Sequence, residues 1–362
     1  MSRNTVTLRD LIQFFINMEQ MQGAGVPLLD ALSDIRDGST NDQMRDMMSE
    51  VHRDVSDGAS LSEAMNKHPK VFKALYISLI KSGEATGDLT SSYRQLEKYL
   101  KWVDIMQSKI KKATRGPMIT AVVVLGVVVF MMSMVVPQIV GFLKFLDLEL
   151  PWYSTSLIAT SNFFVQPQFH ILGLPVYGAI IFLGIPFLMV LAFMFVRKSS
   201  ESAAYKIDSF YLSLPVAGNL IRKITIARYS QTFAALFASG IDVIKALKSS
   251  RNTVSNLVLI DAMEGVEDYV QSGSPLSDAL NASGEFPSMV VRMVKIGEES
   301  GKLSEVLDQV SDFYTKDVDE AIDGLIEMIQ PTLTIILATV IMWIAAGSLG
   351  PIYMNLGTMV DF

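Results

Sequence analysis

The 362-residue chain contains no cysteine and only three histidines. Without thiols there are no disulfides and no thiolate metal sites, so the soluble parts do not require an oxidising compartment. His52, His68 and His170 lie far apart without metal-ligand spacing, and packing or surface roles suit all three. The Gly-x4-Gly-Lys-Ser/Thr loop, the Rossmann glycine fingerprint and the Gly-x-Ser-x-Gly elbow are all absent, which removes the common nucleotide and acyl-transfer signatures. Basic charge is scarce too. Thirty Lys and Arg stand against 37 Asp and Glu, a net charge of −7, and a nucleic-acid footprint needs the opposite balance. Met1–Asp10 lacks the apolar core of a signal peptide, so the first soluble part is expected to stay on the side where it is made.

Three long runs lack charge altogether: Gly116–Leu143, Ile171–Val196 and Gln330–Val360. Each exceeds the roughly 20 residues that cross a bilayer. Lys109, Lys111, Lys112 and Arg115 precede the first run, and Arg197 and Lys198 follow the second, which puts both of these ends in the cytoplasm. Pro117 is expected in a first helical turn, where a missing N–H costs little, Pro137 at the far end of that span, and Pro186 at a kink in the second. The loop between them, 144–170, carries Lys144, Asp147 and Glu149, with a turn at Pro151-Trp152-Tyr153 placing aromatics at the water–lipid boundary. The third run starts at Pro331, has little flanking charge, and takes its direction from parity. No ionisable side chain lies in any run, which argues against an ion or proton pathway.

The other prominent feature is a repeat. Lys81–Leu89, KSGEATGDL, returns as KIGEESGKL at Lys295–Leu303, so that Gly83, Glu84, Gly87 and Leu89 become Gly297, Glu298, Gly301 and Leu303 at an offset of 214. AGVPLLDAL (Ala24–Leu32) matches SGIDVIKAL (Ser239–Leu247), and GASLSEA (Gly58–Ala64) matches GSPLSDA (Gly273–Ala279), both at 215. Phe72 matches Phe286, and Pro137 matches Pro351, at 214 again. A fixed offset over such a length marks a duplicated unit. Two copies in one orientation leave the chain outside after the first, and the unpaired middle run supplies the return crossing.

Within residues 5–115 the apolar spacing is helical. Leu8, Leu11, Ile12, Phe15, Met18 and Met21 form one stripe, and Met44, Met47, Met48, Val51 and Val55 another. Ser60 and Glu63 have capping-box spacing, and Ser274-Pro275 is read as cap and first turn at the matching place. A fifth helix is expected over Phe72–Ser82, ended by Gly83, with a sixth running from near Asp88 towards Lys109. In the repeated motif, Gly83 and Gly297 are read as helix ends and Thr86 or Ser300 as the next cap. Glu84 or Glu298 then sits near a helix N-terminus, where negative charge is worth ~0.3–1 kcal/mol. A partner-contact or cation-binding role for the two glutamates is the alternative. Residues 1–115 carry 16 Lys and Arg against 15 Asp and Glu, whereas 201–330 carry 11 against 19. A solvated acidic helix face accounts for that contrast, and also for the cluster Asp317, Asp319, Glu320 and Asp323.

These residues identify a resemblance. Two helical copies bearing AGVPLLDAL/SGIDVIKAL and GEATGDL/GEESGKL, with a proline at each following span and three membrane helices in all, are similar to the inner-membrane platform proteins of type II secretion and type IV pilus systems. The resemblance covers nearly the whole chain, although the first bundle here starts within ten residues, where typical members carry a longer leader. It implies an all-α membrane protein with two homologous cytoplasmic helical bundles and three transmembrane helices. The expected boundaries are a first bundle at 1–115, a span at 116–143, a periplasmic loop at 144–170, a second span at 171–196, a second bundle at 197–330, a third span at 331–350 and a short periplasmic tail at 351–362. It further implies no enzymatic activity, cofactor or metal. The implied partners are a cytoplasmic secretion or pilus assembly ATPase, prepilins or pseudopilins, other inner-membrane assembly proteins, the lipid bilayer and further copies of the chain. A membrane-anchored scaffold or receptor unrelated to pili is the competing expectation.

Overall fold

The structure, a computed structural model, describes residues 5–145, 150–171, 174–215 and 217–359. Asp147 and Glu149, expected in the external loop, lie outside the described residues. In chain order the helices are α1 (Leu8–Gly23), α2 (Leu28–Gly38), α3 (Asp42–Ser56), α4 (Leu61–Asn66), α5 (Ala74–Thr86), α6 (Leu89–Phe130), α7 (Val136–Phe145), α8 (Trp152–Val165), α9 (Gly178–Ser199), α10 (Glu201–Ser213), α11 (Ala217–Ala238), α12 (Val243–Arg251), α13 (Leu257–Gln271), α14 (Leu276–Ser283), α15 (Ser288–Ser300) and α16 (Leu303–Met359). A π-helical turn, Met131–Val135, joins α6 to α7. Two short strands, β1 (Pro167–Ile171) and β2 (Leu174–Tyr177), pair as an antiparallel hairpin between α8 and α9.

The chain divides into two compact units. One comprises the described residues of Met1–Ile110 together with Tyr205–Ala321; the other comprises those of Lys111–Ala204 and Ile322–Phe362. In the first unit the repeat is visible element by element. Helices α5 and α6 start 214 residues before α15 and α16, while α2 and α3 start 215 before α12 and α13. Asn41 caps α3 by accepting the N–H groups of Gln43 and Met44, and Asn256 caps α13 through Val258 and Leu259. That pair at offset 215 went unread in the sequence. Each cap satisfies N–H groups that the first turn leaves without partners, worth about 1 kcal/mol.

The first copy closes over Phe14, Phe15, Met18, Met48, Phe72, Leu79 and Tyr93, all essentially inaccessible to water. The second closes over Tyr229, Phe233, Met263, Phe286, Val294 and Tyr314. Burying each of these side chains contributes on the order of 1.5–3 kcal/mol, so each copy has its own centre of cohesion.

Several expectations are corrected. The sixth helix does not stop near Lys109: α6 runs unbroken through Pro117, which is an interior residue and forfeits the bond to the Ala113 carbonyl. Nor do Pro137 and Pro351 end their helices, which continue to Phe145 and Met359. The stretch expected as a loop with a turn at Pro151 contains α8, with Pro151 as its N-terminal flank. The second hydrophobic run begins in the hairpin, and helix starts only at Gly178 and extends to Ser199. Among the described residues two helical stretches are long and apolar enough to cross a membrane, Leu89–Leu143 and Leu303–Met354.

Candidate functional site

The repeated Gly-Glu motif forms twin turns with one shared construction. α5 continues past Gly83 to Thr86, and α15 past Gly297 to Ser300, so these first glycines are interior and not terminal. They are spacers. A Cβ on Gly83 would meet Ser92 of α6 and stand 3.0 Å from the Asp88 carbonyl; on Gly297 it would stand 2.8 Å from Val306 Cγ2 and 3.3 Å from the Leu303 backbone. Each absent side chain lets two consecutive helices cross closely. The second glycines carry the turn itself: Gly87 has φ 75° and Gly301 φ 71°, the left-handed region that a Cβ disfavours. Thr86 and Ser300 do not cap the following helices. Their hydroxyls donate backwards, to the Ser82 and Ile296 carbonyls. Asp88 takes the capping role in the first copy, accepting the Ser91 N–H at 2.9 Å. Leu89 and Leu303 are the first, half-buried residues of α6 and α16.

The two glutamates serve the same purpose in both copies, at a helix other than the one they precede. Glu84 accepts the N–H and hydroxyl of Ser62 at the start of α4. Glu298 accepts the N–H groups of Leu276 at 2.7 Å and Ser277 at 3.2 Å, and the Ser277 hydroxyl at 2.9 Å, at the start of α14. A carboxylate there satisfies orphan donors and faces the positive end of the helix. α4 also has its own capping box from Ser60 and Glu63. α14 has none: Pro275 is the capping residue and offers no side-chain acceptor, so the expected Ser274 cap is replaced by Glu298. The Gly-Glu turn and the Leu-Ser helix, separate motifs in the sequence, are therefore one device in space.

Within the first unit the copies meet along α6 and α16. Lys98 pairs with Asp308 at 2.9 Å, Trp102 Nε1 donates to Thr315 Oγ1 at 2.7 Å, and Lys109 pairs with Asp319. The Ser82 hydroxyl donates to the Ser239 carbonyl at 2.7 Å, joining the first Gly-Glu turn to the second copy. Part of the second copy's acidity serves this contact, since Asp308 and Asp319 pair with lysines of the first copy, whereas Asp317 pairs within its own. Asp317 and Asp319, expected on a solvated face, pair with Lys223 and Lys109. A cavity of about 410 Å³ opens at this junction, lined by Lys73, Leu75, Tyr99, Trp102, Arg228 and Thr253 among others. Burial pushes the phenols of Tyr93, Tyr229 and Tyr314 above their ordinary range. Among the described residues their hydroxyls find no partner.

In the second unit, α8 engages the membrane-type helices through their prolines. Pro351 has no N–H for the Gly347 carbonyl four residues back, and the Ser154 hydroxyl donates to that carbonyl at 2.8 Å. Pro137 follows the π turn, in which the Val136 N–H reaches five residues back to Met131. The next carbonyl in that pattern, Met132, accepts from the Ser161 hydroxyl at 2.8 Å. Ser154 and Ser161 are buried and seven residues apart, hence on one face of α8. Leu157 lies between them, against Gly347, where a Cβ would come 2.6 Å from its Cδ2. One helix outside the repeat thereby supplies a donor to the equivalent gap in each copy. Nothing in the charge or hydropathy pattern pointed to these serines; only the offset of Pro137 and Pro351 did.

No cluster of three or more potential metal ligands occurs among the described residues. His68 lies 3.6 Å from Glu50, and the His170 side chain is outside the description.

Comparison with known proteins gives a consistent result. The family model described as type II secretion system protein F matches residues 14–137 and 229–351. The two matches reproduce the internal duplication and end on Pro137 and Pro351. The type IV pilus assembly protein PilC of Thermus thermophilus is 34% identical over 356 residues, covering 97% of this chain and 84% of that protein. PilC of Pseudomonas aeruginosa is 30% identical over 351 residues, covering 97% and 91%. The type II secretion system protein F of Vibrio cholerae is 26% identical over 347 residues, covering 96% and 82%.

Proposed function

The chain belongs to the type II secretion system protein F family, and from that premise we propose that it is a non-enzymatic inner-membrane platform of a type IV pilus or type II secretion machine. It couples a cytoplasmic assembly ATPase to the polymerisation of pilins or pseudopilins. Other inner-membrane assembly proteins and further copies of the chain complete the set of partners.

The observation that carries this reading is the duplicated unit of bundle plus span. In each copy the last bundle helix, α6 or α16, continues without interruption into an apolar stretch of membrane-spanning length. In this reading a displacement imposed on a bundle is passed along the chain to the span that follows it. The sequence holds no nucleotide loop, so in this reading the work comes from another protein. α9, with 22 residues, is about 33 Å long and makes a third crossing. Lys109, Lys111, Lys112 and Arg115 before the first span, with Arg197 and Lys198 after the second, support a topology with both bundles in the cytoplasm and the C-terminus in the periplasm.

The test is genetic. Deletion of the gene, with all other assembly components still produced, abolishes filament assembly or secretion, and the full chain in trans restores it. Normal filaments or secretion in the deletion strain would end this reading. Reporter fusions within α3 and α13 should both report the cytoplasm; opposite sides would refute the topology.

A further inference from the structure

Away from α6 and α16, the contact between the two copies is one-sided. In the first copy α5 is covered by the second: Leu75 is only 7% exposed, and it lines the junction cavity with Arg228, Ser249 and Thr253 of α11, α12 and the turn beyond. Ser82, seven residues along the same helix face, bonds the Ser239 carbonyl. The repeat defines the corresponding pieces on the other side. Leu75 and Ser82 correspond to Met289 and Ile296 of α15, which are 58% and 59% exposed. Arg228, Ser249 and Thr253 correspond to Gln13, Asp34 and Gly38 at the offset of 215 that holds here. These three residues line a groove of about 190 Å³ beside α1 and α2, together with Asp10 and Asn17. Ser239 corresponds to Ala24, exposed in the turn that follows α1. A knob without a hole and a hole without a knob are therefore left on one chain.

The charges fit as well. α15 carries Arg292 and Lys295 on its exposed side, neither in an ion pair among the described residues. The groove carries Asp10 and Asp34. We propose that α15 of one chain docks in the α1–α2 groove of a second copy, repeating between chains the contact that α5 makes with the second copy of the repeat inside one chain. Met289 and Ile296 fill the groove, Arg292 faces Asp34, and Ile296 abuts the Ala24 turn. The contact is heterologous, so each chain offers one α15 face and one groove. This rests on the self-association proposed above and names the face that mediates it.

The absence of cysteine makes the test direct. Chains bearing Ile296→Cys with one affinity tag and chains bearing Ala24→Cys with another are co-produced, and the membranes are oxidised. A disulfide forms only where Cα atoms approach within about 7 Å. The expected result is a doubly tagged cross-linked dimer, absent when either cysteine is missing. Ser82→Cys with Ser239→Cys in one chain is the positive control and closes internally. Arg292→Glu lowers the dimer yield at least five-fold, and adding Asp34→Arg on the other chain restores it. The proposal is overturned if the control closes but no doubly tagged dimer forms. It is equally overturned if Ala24→Cys and Ile296→Cys, combined in one chain, link only within that chain, or if the Ile296→Cys chain is captured by a different protein. Oligomers that persist in light scattering without the cross-link would leave self-association standing and remove this face from it.

Discussion

Replacing Glu298 by alanine tests whether the repeated motif works as a helix cap. The carboxylate receives two backbone N–H groups and one hydroxyl from the first turn of α14, and Pro275 offers no substitute acceptor. Hydrogen bonds to a charged group are each worth ~1.5–3 kcal/mol, and loss of a helix cap costs ~0.5–2 kcal/mol. Water reaches this half-buried turn and recovers part of that, leaving an expected loss of about 3 kcal/mol. Glu84→Ala removes one backbone acceptor and one hydroxyl acceptor while Ser60 continues to cap α4, so about 1.5 kcal/mol is expected there. At ~2–4 °C per kcal/mol for a unit of this size, thermal unfolding of the detergent-solubilised full chain should shift down by roughly 6–12 °C and 3–6 °C respectively. Pro275→Ser places a hydroxyl where the first copy has Ser60, and should return about 1 kcal/mol to the Glu298→Ala protein. Equal losses from the two glutamates, or no rescue by Pro275→Ser, would refute the capping assignment.

Gly301→Val should cost about 1–3 kcal/mol because φ 71° is strained for a branched residue; an unchanged unfolding temperature would count against it. Ser154→Ala and Ser161→Ala each leave a helix carbonyl without its donor, at about 0.6–2 kcal/mol apiece, and together should lower stability in detergent additively; no change in the double variant would show that the two carbonyls do not need α8. Alkaline titration should destabilise the protein. Burial raises the phenol pKa of Tyr93, Tyr229 and Tyr314, so above the ordinary tyrosine value near 10 the unfolded chain ionises while the folded one stays neutral. Stability is unaffected below about pH 9 and falls as pH rises beyond 10, by ~1.4 kcal/mol for each such phenol per pH unit. Tyr229→Phe, whose lost hydroxyl had no partner, should leave stability at pH 7 unchanged and make the alkaline loss shallower; an unaltered alkaline profile would contradict this.

The sequence by itself determined the duplication, the helical character of each copy and the apolar stretches. Those depend on periodicity and on a fixed offset, which survive without knowledge of contacts. It also marked Gly87 and Gly301, because a turn between helices needs a residue free to adopt positive φ. It misread Gly83, Gly297, Thr86 and Ser300, since a glycine that ends a helix and one that admits a neighbouring helix leave the same local pattern. Only the tertiary structure decided what Glu84 and Glu298 do, as each reaches a backbone N–H 22 residues upstream, in a separate motif. It decided that Asp308 and Asp319 of the second copy face lysines of the first, and that α8, read as a loop, offers serines to two helices interrupted by proline. These are long-range pairings. A donor's partner in a separate element is fixed by packing, not by any local preference of the chain, and so it cannot be read from the order of residues alone.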